Sequence, residues 1–265
     1  MKPPSGPPRV STLSKVRSVV AVASGKGGVG KSTAAVNLAL ALTSQQHRVG
    51  ILDADLFGPS IPRLMNLSGR AEAEGDLLLP MVNYGVKCMS MGFLIDEEAP
   101  VVWRGLMVMK ALQQLLHQVD WGELDTLIID MPPGTGDTQL TVSQQARLKG
   151  AVIISTPQDV ALADAKKGVA MFGKVNVPIL GMIQNMSYFT CPCCSTKTHI
   201  FGTEGVRRLA DNMGLPLLGE IPLNADVCEL SDQGRPIVVA RPESVEARAY
   251  MEIAEKLHVA LQQQQ

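Results

Sequence analysis

A glycine-rich segment that follows an apolar run constrains the fold of this chain more than any other feature. Residues 18–24 read as a buried strand, and residues 31–43 have the pattern of a helix. Between them lies the motif G-x-x-x-x-G-K-S/T, followed by a threonine. Its residues are Gly25, Lys26, Gly27, Gly28, Val29, Gly30, Lys31, Ser32 and Thr33. Such glycines let backbone N–H groups converge on phosphate oxygens. The segment predicts a P-loop for a nucleoside triphosphate, with Lys31 on the β- and γ-phosphates and Ser32 on Mg²⁺.

Apolar runs and helical patterns alternate along the rest of the chain. Runs typical of buried strands occupy residues 49–53, 126–130, 151–155, 179–184 and 217–221. Residues 77–90 indicate an irregular strand pair. Helical spacing of apolar residues occurs in residues 106–119, 161–172, 203–212 and 244–261. Because strands that are apolar throughout are buried on both faces, the pattern predicts an α/β fold, a mostly parallel P-loop NTPase sheet with helices on both faces.

The length of 265 residues suits one large α/β domain. We predict a single P-loop NTPase domain over residues 18–261, with a cysteine-rich insertion near 191–194 and a tail at 262–265. Residues 1–17 carry four cationic side chains and no acidic one, which is weakly reminiscent of a transit sequence. Their four prolines, however, break the amphipathic helix that such a sequence needs. We interpret this segment as a disordered basic arm or a remnant of processing.

Charge and hydropathy exclude two broad classes of protein. Lysine and arginine total 24 and aspartate and glutamate total 25, which gives a net charge of −1. No global positive field therefore attracts nucleic acid, although a local basic patch stays open. No apolar run reaches the roughly 18 residues that a membrane-spanning helix requires. We predict neither a nucleic-acid partner nor a transmembrane segment.

Three aspartates stand at or just after the ends of predicted strands. Asp53 and Asp130 each end a strand, and Asp55 follows Asp53 by two residues. A P-loop enzyme needs a carboxylate at such a position to hold the magnesium shell. We predict Asp53 and Asp130 as magnesium ligands together with Ser32, and Asp55 as the residue that orients the attacking water. Residues 131–137 combine prolines and glycines and predict a switch that senses the γ-phosphate.

The second residue of the loop makes the motif more specific. With Lys26 in that position the loop reads G-K-G-G-V-G-K-S-T, which resembles the deviant Walker A family of nitrogenase iron protein, MinD, ParA and the Mrp-type iron–sulfur carriers. The resemblance implies a homodimer that sandwiches ATP, with Lys26 reaching in trans to the partner's nucleotide. Residues 53–60 and 130–137 resemble the two switches of the Mrp branch. Residues 184–187 resemble the strand end whose asparagine, here Asn185, contacts adenine.

Two further segments, residues 84–92 and 101–105, are similar to the mitochondrial branch of these carriers, which helps to assemble respiratory complex I. The family's cluster motif is C-P-x-C, and Cys191 and Cys194 occupy its ligand positions, with Cys193 at the variable one. The resemblance implies a carrier that gives 4Fe–4S clusters to apo-proteins, complex I subunits among them, in the mitochondrial matrix. A cytoplasmic location is the alternative, because no intact transit sequence is visible.

The cysteines support a metal site on their own chemistry. Of five cysteines, three lie within residues 191–194, which is a poor disulfide framework and suits a reducing compartment with a metal or redox site. Two thiolates separated by two residues can bind one metal centre, but a 4Fe–4S cluster wants four, so two subunits would complete it at a twofold axis. Zinc is an equal alternative on ligand type, since His199 lies five residues after Cys194.

The isolated cysteines and histidines receive no functional role. Cys88 and Cys228 stand apart from the other cysteines and are expected to be small buried hydrophobes. His47, His117 and His258 have no acidic or cysteine partner that the sequence makes visible. We assign these histidines no role.

Together these features predict an ATP-binding cluster carrier that is also a weak ATPase, with Lys26, Lys31 and Asp55 as catalytic residues. Hydrolysis would be coupled to cluster transfer. The main alternative is a positioning ATPase of the MinD or ParA kind, which acts at a membrane or DNA surface. Such a protein needs a basic amphipathic tail, whereas residues 244–261 carry more acidic than basic side chains. A small-molecule kinase would need an acceptor-binding lid, which the sequence does not indicate.

Overall fold

A mostly parallel sheet organises the residues that the structure describes, which are 12–94 and 105–264 of this computed structural model. The strands are β1 Val16–Ala23, β2 Val49–Asp53, β3 Ala73–Glu74, β4 Leu77–Leu78, β5 Met81–Asn83, β6 Val86–Ser90, β7 Leu124–Asp130, β8 Gly150–Ser155, β9 Ile179–Thr190, β10 Lys197–Thr198 and β11 Leu217–Leu223. Within these residues the order β6-β2-β7-β1-β8-β9-β11 is parallel throughout. β5 pairs antiparallel with β6 and β10 with β9, while β3 and β4 pair separately.

Two groups of helices pack on this sheet. The helices are α1 Lys31–Ser44, α2 Ile61–Leu64, α3 Gly105–His117, α4 Asp137–Gln145, α5 Asp159–Lys174, α6 Gly205–Met213, α7 Ala225–Asp232, α8 Ile237–Ala240 and α9 Val245–Gln263. α1, α8 and α9 contact one another, and α3 to α6 contact each other in sequence. α1 also contacts β2 and β7, and α5 contacts β8. The structure confirms the predicted α/β fold with a mostly parallel sheet between helices.

The register of the central strands brings the predicted site residues together. β1 lies between β7 and β8, and Val22 near its end is paired with Asp130 of β7. Asp130 is in turn paired with Asp53 of β2. The carboxyl ends of three parallel strands therefore meet where the P-loop leaves β1, which places two of the predicted carboxylates beneath it.

Several elements differ from the sequence-based prediction. β9 continues six residues beyond residue 184 and reaches Thr190, because its polar end is stabilised by pairing with β10. The predicted strand pair at 77–90 is not separate, since β6 joins the main sheet beside β2. The helices α2, α4, α7 and α8 were not predicted, because they are short or lack a helical spacing of apolar residues.

The predicted arm and tail are both too long. Residues Thr12–Lys15 form a 3-10 helix whose Leu13 is buried, and β1 begins at Val16, so an arm can extend no further than residue 11. At the other end, α9 continues to Gln263. Residues 1–11, 95–104 and 265 lie outside the described residues, which leaves most of the arm and most of the predicted segment 101–105 undescribed. None of the described helices is long and apolar enough to cross a bilayer.

Candidate functional site

The backbone of the P-loop leaves the first turn of α1 open to an anion. Gly28 and Gly30 have φ angles of 80° and 81°, a conformation that glycine adopts without strain. Gly30 is the N-cap of α1, and no side chain caps the helix there. The N–H groups of the first turn and the positive end of the helix dipole therefore converge on the space above the loop. This is the backbone arrangement that binds phosphate in proteins.

Close packing holds the loop from outside. A Cβ added to Gly25 would lie 2.1 Å from the carbonyl carbon of Asp164 in α5, and one added to Gly30 would lie 2.3 Å from Nδ2 of Asn185. The same Asn185 amide donates a hydrogen bond of 2.8 Å to the carbonyl of Val29. Glycine is thus required at two positions of the loop by contacts with α5 and β9.

Replacing Gly25 by alanine is expected to lower the free energy of unfolding by about 1–3 kcal/mol, because the backbone of α5 has to move to admit the methyl group. Gly27→Ala is the matched control, since no atom lies within 4 Å of its added Cβ, and its effect should stay within about 0.5 kcal/mol. Urea denaturation measures both variants. Equal effects in the two variants would contradict the packing argument.

Lys31 and Asp130 form a buried ion pair beneath the loop. Nζ of Lys31 donates to Oδ1 of Asp130 and to the hydroxyl of Ser32 at 3.0 Å. The lysine side chain is 7% exposed and the aspartate 0%. Burial raises the pKa of Asp130, against the charge of Lys31 and the hydrogen bonds from Lys31 and Ser32. The pair fixes a cation and a hydroxyl side by side at the start of α1.

Asp53 shapes the segment that follows it. Its Oδ1 accepts a hydrogen bond from the backbone N–H of Asp55 at 3.1 Å, and its Oδ2 accepts from Ser60 at 3.0 Å and Ile61 at 3.1 Å. Burial, and then the charge of Asp130, raise the pKa of Asp53 to about 7, against the hydrogen bonds from Ile61 and Asp55. Because both oxygens hold the chain, Asp53 fixes the conformation of the predicted first switch.

The oxygens around Lys31 fit a magnesium ion. Oδ2 of Asp130 is buried and has no hydrogen-bond partner among the described residues, although such an oxygen normally has one. The hydroxyl of Ser32 belongs to the same cluster, and the charge of half-buried Asp55 acts on Asp130. Carboxylate and hydroxyl oxygens are hard ligands that Mg²⁺ takes directly or through water. The structure therefore brings together Ser32, Asp130, Asp53 and Asp55, and their individual roles stay predictions.

The predicted second switch is tied to the P-loop and to α4. The N–H of Gly134 donates to the carbonyl of Ser24 at 3.1 Å. The side chain of Gln139 donates to the carbonyl of Pro133 at 2.6 Å and accepts from the N–H of Gly136 at 2.9 Å. A shift of Gly134 would therefore also move Ser24, the residue directly before the P-loop.

A cavity of about 210 Å³ opens beside Gly30 and Thr33 of the loop. Asn185 of β9 lies in its wall, together with Pro222 near the end of β11 and Asn224 just after that strand. Because the cavity adjoins the P-loop, it is the candidate place for the base of a nucleotide whose phosphates bind there. The predicted contact of Asn185 with adenine is thus compatible with its place and stays a prediction.

The two lone cysteines have opposite environments. Cys88 in β6 is fully buried, and burial raises the pKa of its thiol to about 12, as expected for a small hydrophobe. Cys228 is exposed and lines the cavity beside the P-loop, so its predicted burial is wrong. The physical reason is that α7, an element missed in the sequence, presents Cys228 to the cavity rather than to the core.

Lys26 lies on the outer side of the loop. Its side chain is exposed, and its carbonyl accepts a hydrogen bond of 2.9 Å from the hydroxyl of Ser24. Within the described part of the chain its ammonium group makes no ion pair or hydrogen bond. The side chain is therefore free to contact a group on another molecule, as its predicted role in trans requires.

Cys191 and Cys194 are held together in a tight turn between β9 and β10. The N–H of Cys191 donates to the carbonyl of Thr196 at 3.0 Å, and the N–H of Ser195 donates to the carbonyl of Cys191 at 2.9 Å. Hydrogen bonds from the side chain and backbone of Thr196, and then from Cys191, lower the pKa of the Cys194 thiol. A lower pKa favours the thiolate, which is the metal-binding form. Cys193 is exposed and makes no such contact.

His199 does not join these thiols. Its Nδ1 lies 3.0 Å from the carbonyl of Ser187, to which it donates, and its ring packs edge-on against Tyr188 with centroids 6.1 Å apart. Among residues 12–94 and 105–264 no three histidine, cysteine or acidic side chains are arranged to hold a metal ion. The zinc alternative with His199 is therefore not assembled here, and the two thiols need further ligands from beyond the described residues.

Three polar residues support the site without having been predicted. The hydroxyl of Ser90 donates to Oδ2 of Asp53 at 3.1 Å, and Gln139 holds the second switch. The buried hydroxyl of Ser231 lies in the cavity wall and has no hydrogen-bond partner in the part of the chain that the structure describes. Only Gln139 had a partial signal in the sequence, because it lies three residues after Gly136, which is the spacing of the glutamine in a capping box, while the serine or threonine of that motif is replaced by glycine. Ser90 and Ser231 reach the site from distant segments.

Comparison with known proteins agrees with this geometry. The family described as "ParA: NUBPL iron-transfer P-loop NTPase" matches residues 15–258. The chain is 58% identical over 255 residues to "Iron-sulfur cluster transfer protein NUBPL" of Mus musculus, covering 95% of this chain and 80% of that protein. It is 55% identical over 247 residues to "Iron-sulfur protein required for NADH dehydrogenase, mitochondrial" of Arabidopsis thaliana, covering 92% and 79%.

Solved structures give the same result for the fold. A nucleotide-binding protein from Archaeoglobus fulgidus in complex with ADP is 40% identical, with a TM-score of 0.78 and coverage of 91% of this chain and 93% of that one. The cell division ATPase MinD of Pyrococcus furiosus, at 22% identity and a TM-score of 0.70 over 92% of this chain and 99% of that one, shares the fold. With its P-loop, its paired aspartates and its C-P-x-C turn, this chain belongs to the family of NUBPL iron-transfer P-loop NTPases.

Proposed function

We propose that this chain is an ATP-dependent carrier whose cargo is a 4Fe–4S cluster. The observation that carries the proposal is the position of the paired thiols Cys191 and Cys194, which follow the strand that also bears Asn185 in the wall of the nucleotide cavity. Thiolates are the usual ligands of iron–sulfur clusters. Relatives named as cluster transfer or carrier proteins, from Mus musculus and Aquifex aeolicus, support the same cargo.

Strand β9 connects the two sites physically. Asn185 and Cys191 are six residues apart, and between them Met186 has a φ of 54° inside the strand. The register of β9 with β11 shifts in this stretch, and the hydrogen bond from His199 to Ser187 ties the returning chain to it. A nucleotide that moves Asn185 would therefore also move the base of the cysteine turn, which couples nucleotide state to cluster binding.

A homodimer completes both sites in this proposal. Two thiolates per chain are half of the four that a 4Fe–4S cluster takes, so a twofold axis near Cys191 and Cys194 supplies the rest. Lys26 has no partner in the described chain and is exposed beside the loop. The same axis would let it reach the partner's nucleotide, as in the related family.

In this proposal, different side chains bind the phosphates, hold Mg²⁺ and orient the water during ATP hydrolysis. Lys31 binds the β- and γ-phosphates once it releases Asp130, and the N–H groups at the start of α1 hold the phosphate oxygens. Ser32 and Asp130, with Asp53 behind them, would hold Mg²⁺, which neutralises the phosphate charge when bound. Asp55 orients the attacking water. The short tether from Gly134 to Ser24 lets the second switch sense the γ-phosphate.

Cluster transfer with and without nucleotide tests this function. The protein is reconstituted anaerobically with iron and sulfide and mixed with the apo form of a 4Fe–4S enzyme, whose activity reports uptake. We expect MgATP to change the transfer rate by about tenfold, the size of a coupling of roughly 1.4 kcal/mol. Lys26→Ala should keep its cluster and lose the effect of MgATP. A cluster that never reaches the acceptor, or a wild-type rate indifferent to MgATP, would overturn the proposal.

For the acceptor we propose subunits of respiratory complex I, and for the compartment the mitochondrial matrix. The support is the name of the Arabidopsis thaliana relative, a mitochondrial protein required for NADH dehydrogenase. The bacterial relatives are named only as cluster carriers, so the general transfer activity does not depend on this assignment.

A further inference from the structure

A second cavity lies at the end of the sheet opposite the P-loop. It measures about 440 Å³ and is lined by Arg17, the second residue of β1, and by Lys149, which precedes β8. His47 and His258 contribute a third side. Since β1 has eight residues and a strand rises about 3.3 Å per residue, this cavity is about 20 Å from the P-loop. A ligand here would not compete with the nucleotide.

Two cations in the cavity have no carboxylate partner among residues 12–94 and 105–264. Nζ of Lys149 has only the hydroxyl of Ser18 at 3.4 Å, and Arg17 forms no ion pair within the described part of the chain. The carboxylate of Asp125 also reaches the cavity, but Arg48 binds it through its backbone N–H at 2.9 Å and its guanidinium at 3.2 Å. These hydrogen bonds from Arg48 lower the pKa of Asp125, so the carboxylate stays ionised and its charge is balanced by the guanidinium of Arg48. The cavity therefore keeps an excess of positive charge.

A stacked pair of imidazoles forms the third side. The rings of His47 and His258 are 4.2 Å apart between centroids, at an angle of 27°. The amide of Gln262 lies 2.8 Å from Nε2 of His258 and donates to it, which puts the ring proton on Nδ1. Burial, and then the charges of His47 and Arg17, lower the pKa of His258 against the opposing charge of Asp125. The group that would relieve this repulsion is an anion.

The surface around the cavity extends the positive region. Adjacent clefts share Arg17 with this cavity and add Lys15, Arg147, Arg48 and Glu123. The described residues that line these three clefts include five lysine or arginine side chains and two carboxylates, so three positive charges are in excess. This local excess contrasts with the net charge of −1 for the chain, so the positive charge is concentrated here.

We propose that this cavity binds a small oxyanion with two or more negative charges, carried by carboxylate or phosphate groups. The guanidinium fork of Arg17 matches either group in a bidentate way, and Lys149 adds a second, separate point charge. A metal ion does not fit this cavity, because Arg17 and Lys149 line it and its one carboxylate among the described residues, Asp125, is bound by Arg48. A half-open cavity of this size at the far end of the sheet suits a small effector of the carrier rather than a polymer.

Nuclear magnetic resonance of the histidine rings tests the proposal. The chain has four histidines, of which His47 and His258 line the cavity while His117 and His199 lie elsewhere and serve as internal controls. Citrate and inorganic phosphate are titrated separately, with MgADP present to occupy the P-loop and acetate at equal ionic strength as the monovalent control. We expect the signals of His47 and His258 to shift with a dissociation constant of about 1 mM or lower for at least one of the two anions.

Charge-neutral variants then locate the binding site. The double variant Arg17→Gln/Lys149→Gln should weaken binding about tenfold or more, whereas Lys174→Gln, at an exposed position of α5, should leave it unchanged. Unchanged MgADP binding in all variants confirms that they are folded. If all four histidines shift equally, if acetate acts as well as citrate and phosphate, or if the control variant weakens binding as much as the double variant, the proposal is overturned.

Discussion

Replacing Lys31 by alanine is expected to reduce ATP hydrolysis to below about 1% of the wild-type rate, because no other described cation lies at the start of α1 to bind the β- and γ-phosphates. The same change should also destabilise the fold. Lys31 is the partner of Asp130, whose side chain is 0% exposed. Removing one member of a buried pair costs about 3–5 kcal/mol, since the other charge stays buried without compensation.

The loss of stability should depend on pH in a definite direction. Burial raises the pKa of Asp130 against the pull of Lys31, so the lysine's removal raises it further. The native variant then keeps a proton that the unfolded chain releases at about pH 4. Its free energy of unfolding therefore falls as the pH rises above that value, and urea denaturation at pH 5.5 should show a smaller defect than at pH 8.

The double variant Lys31→Ala/Asp130→Asn separates the two effects. The amide carries no charge, so it should recover much of the lost free energy of unfolding at pH 8 while hydrolysis stays absent. A colorimetric phosphate assay and urea denaturation on the same samples measure both. Activity retained by Lys31→Ala would contradict its phosphate role, and a double variant no more stable than Lys31→Ala would contradict the ion-pair argument.

Changing both Cys191 and Cys194 to serine should remove all bound iron after anaerobic reconstitution. Wild-type protein is expected to bind about four iron and four sulfide per dimer, because two thiolates per chain complete one cluster. The turn that holds these cysteines is at the surface, so the free energy of unfolding should change by no more than about 0.5 kcal/mol. Iron and sulfide analysis with the visible spectrum measures the cluster.

Two matched variants identify the ligands. Cys193→Ser changes the exposed thiol next to Cys194, and Cys228→Ser changes an exposed thiol beside the P-loop. Both should keep the full iron content. Iron that survives the double change of Cys191 and Cys194, or that disappears with Cys193→Ser, would show that the C-P-x-C positions are not the ligand pair.

Local features of the site could be predicted from the sequence because their causes are local. Gly28 and Gly30 take positive φ angles that the motif requires, and the apolar runs become strands within a few residues of the predicted bounds. Runs that are apolar throughout indicate parallel strands, whose carboxyl ends lie at one edge of the sheet, so the aspartates that end these runs meet there. The P-loop and its carboxylates followed from these patterns.

The surroundings of the lone cysteines and of Asp53 could not be predicted from local sequence patterns. The burial of Cys88 and the exposure of Cys228 depend on which elements pack against them, and two lone cysteines look alike in a sequence. The oxygens of Asp53 are taken by backbone groups seven and eight residues away and by Ser90. That Asp53 holds the first switch follows only from the way the chain folds back over it.

The sequence by itself determined the P-loop, the parallel sheet that carries it and the paired thiols. Each of these follows from the spacing of residues within single strands or loops. Only the tertiary structure decided which charges meet. Lys31 contacts Asp130, which lies 99 positions away in the chain. The basic cavity is lined by residues from four distant segments, Arg17, His47, Lys149 and His258. Such clusters depend on long-range packing, and none of these residues carries a signal of its neighbours in its own surroundings along the chain.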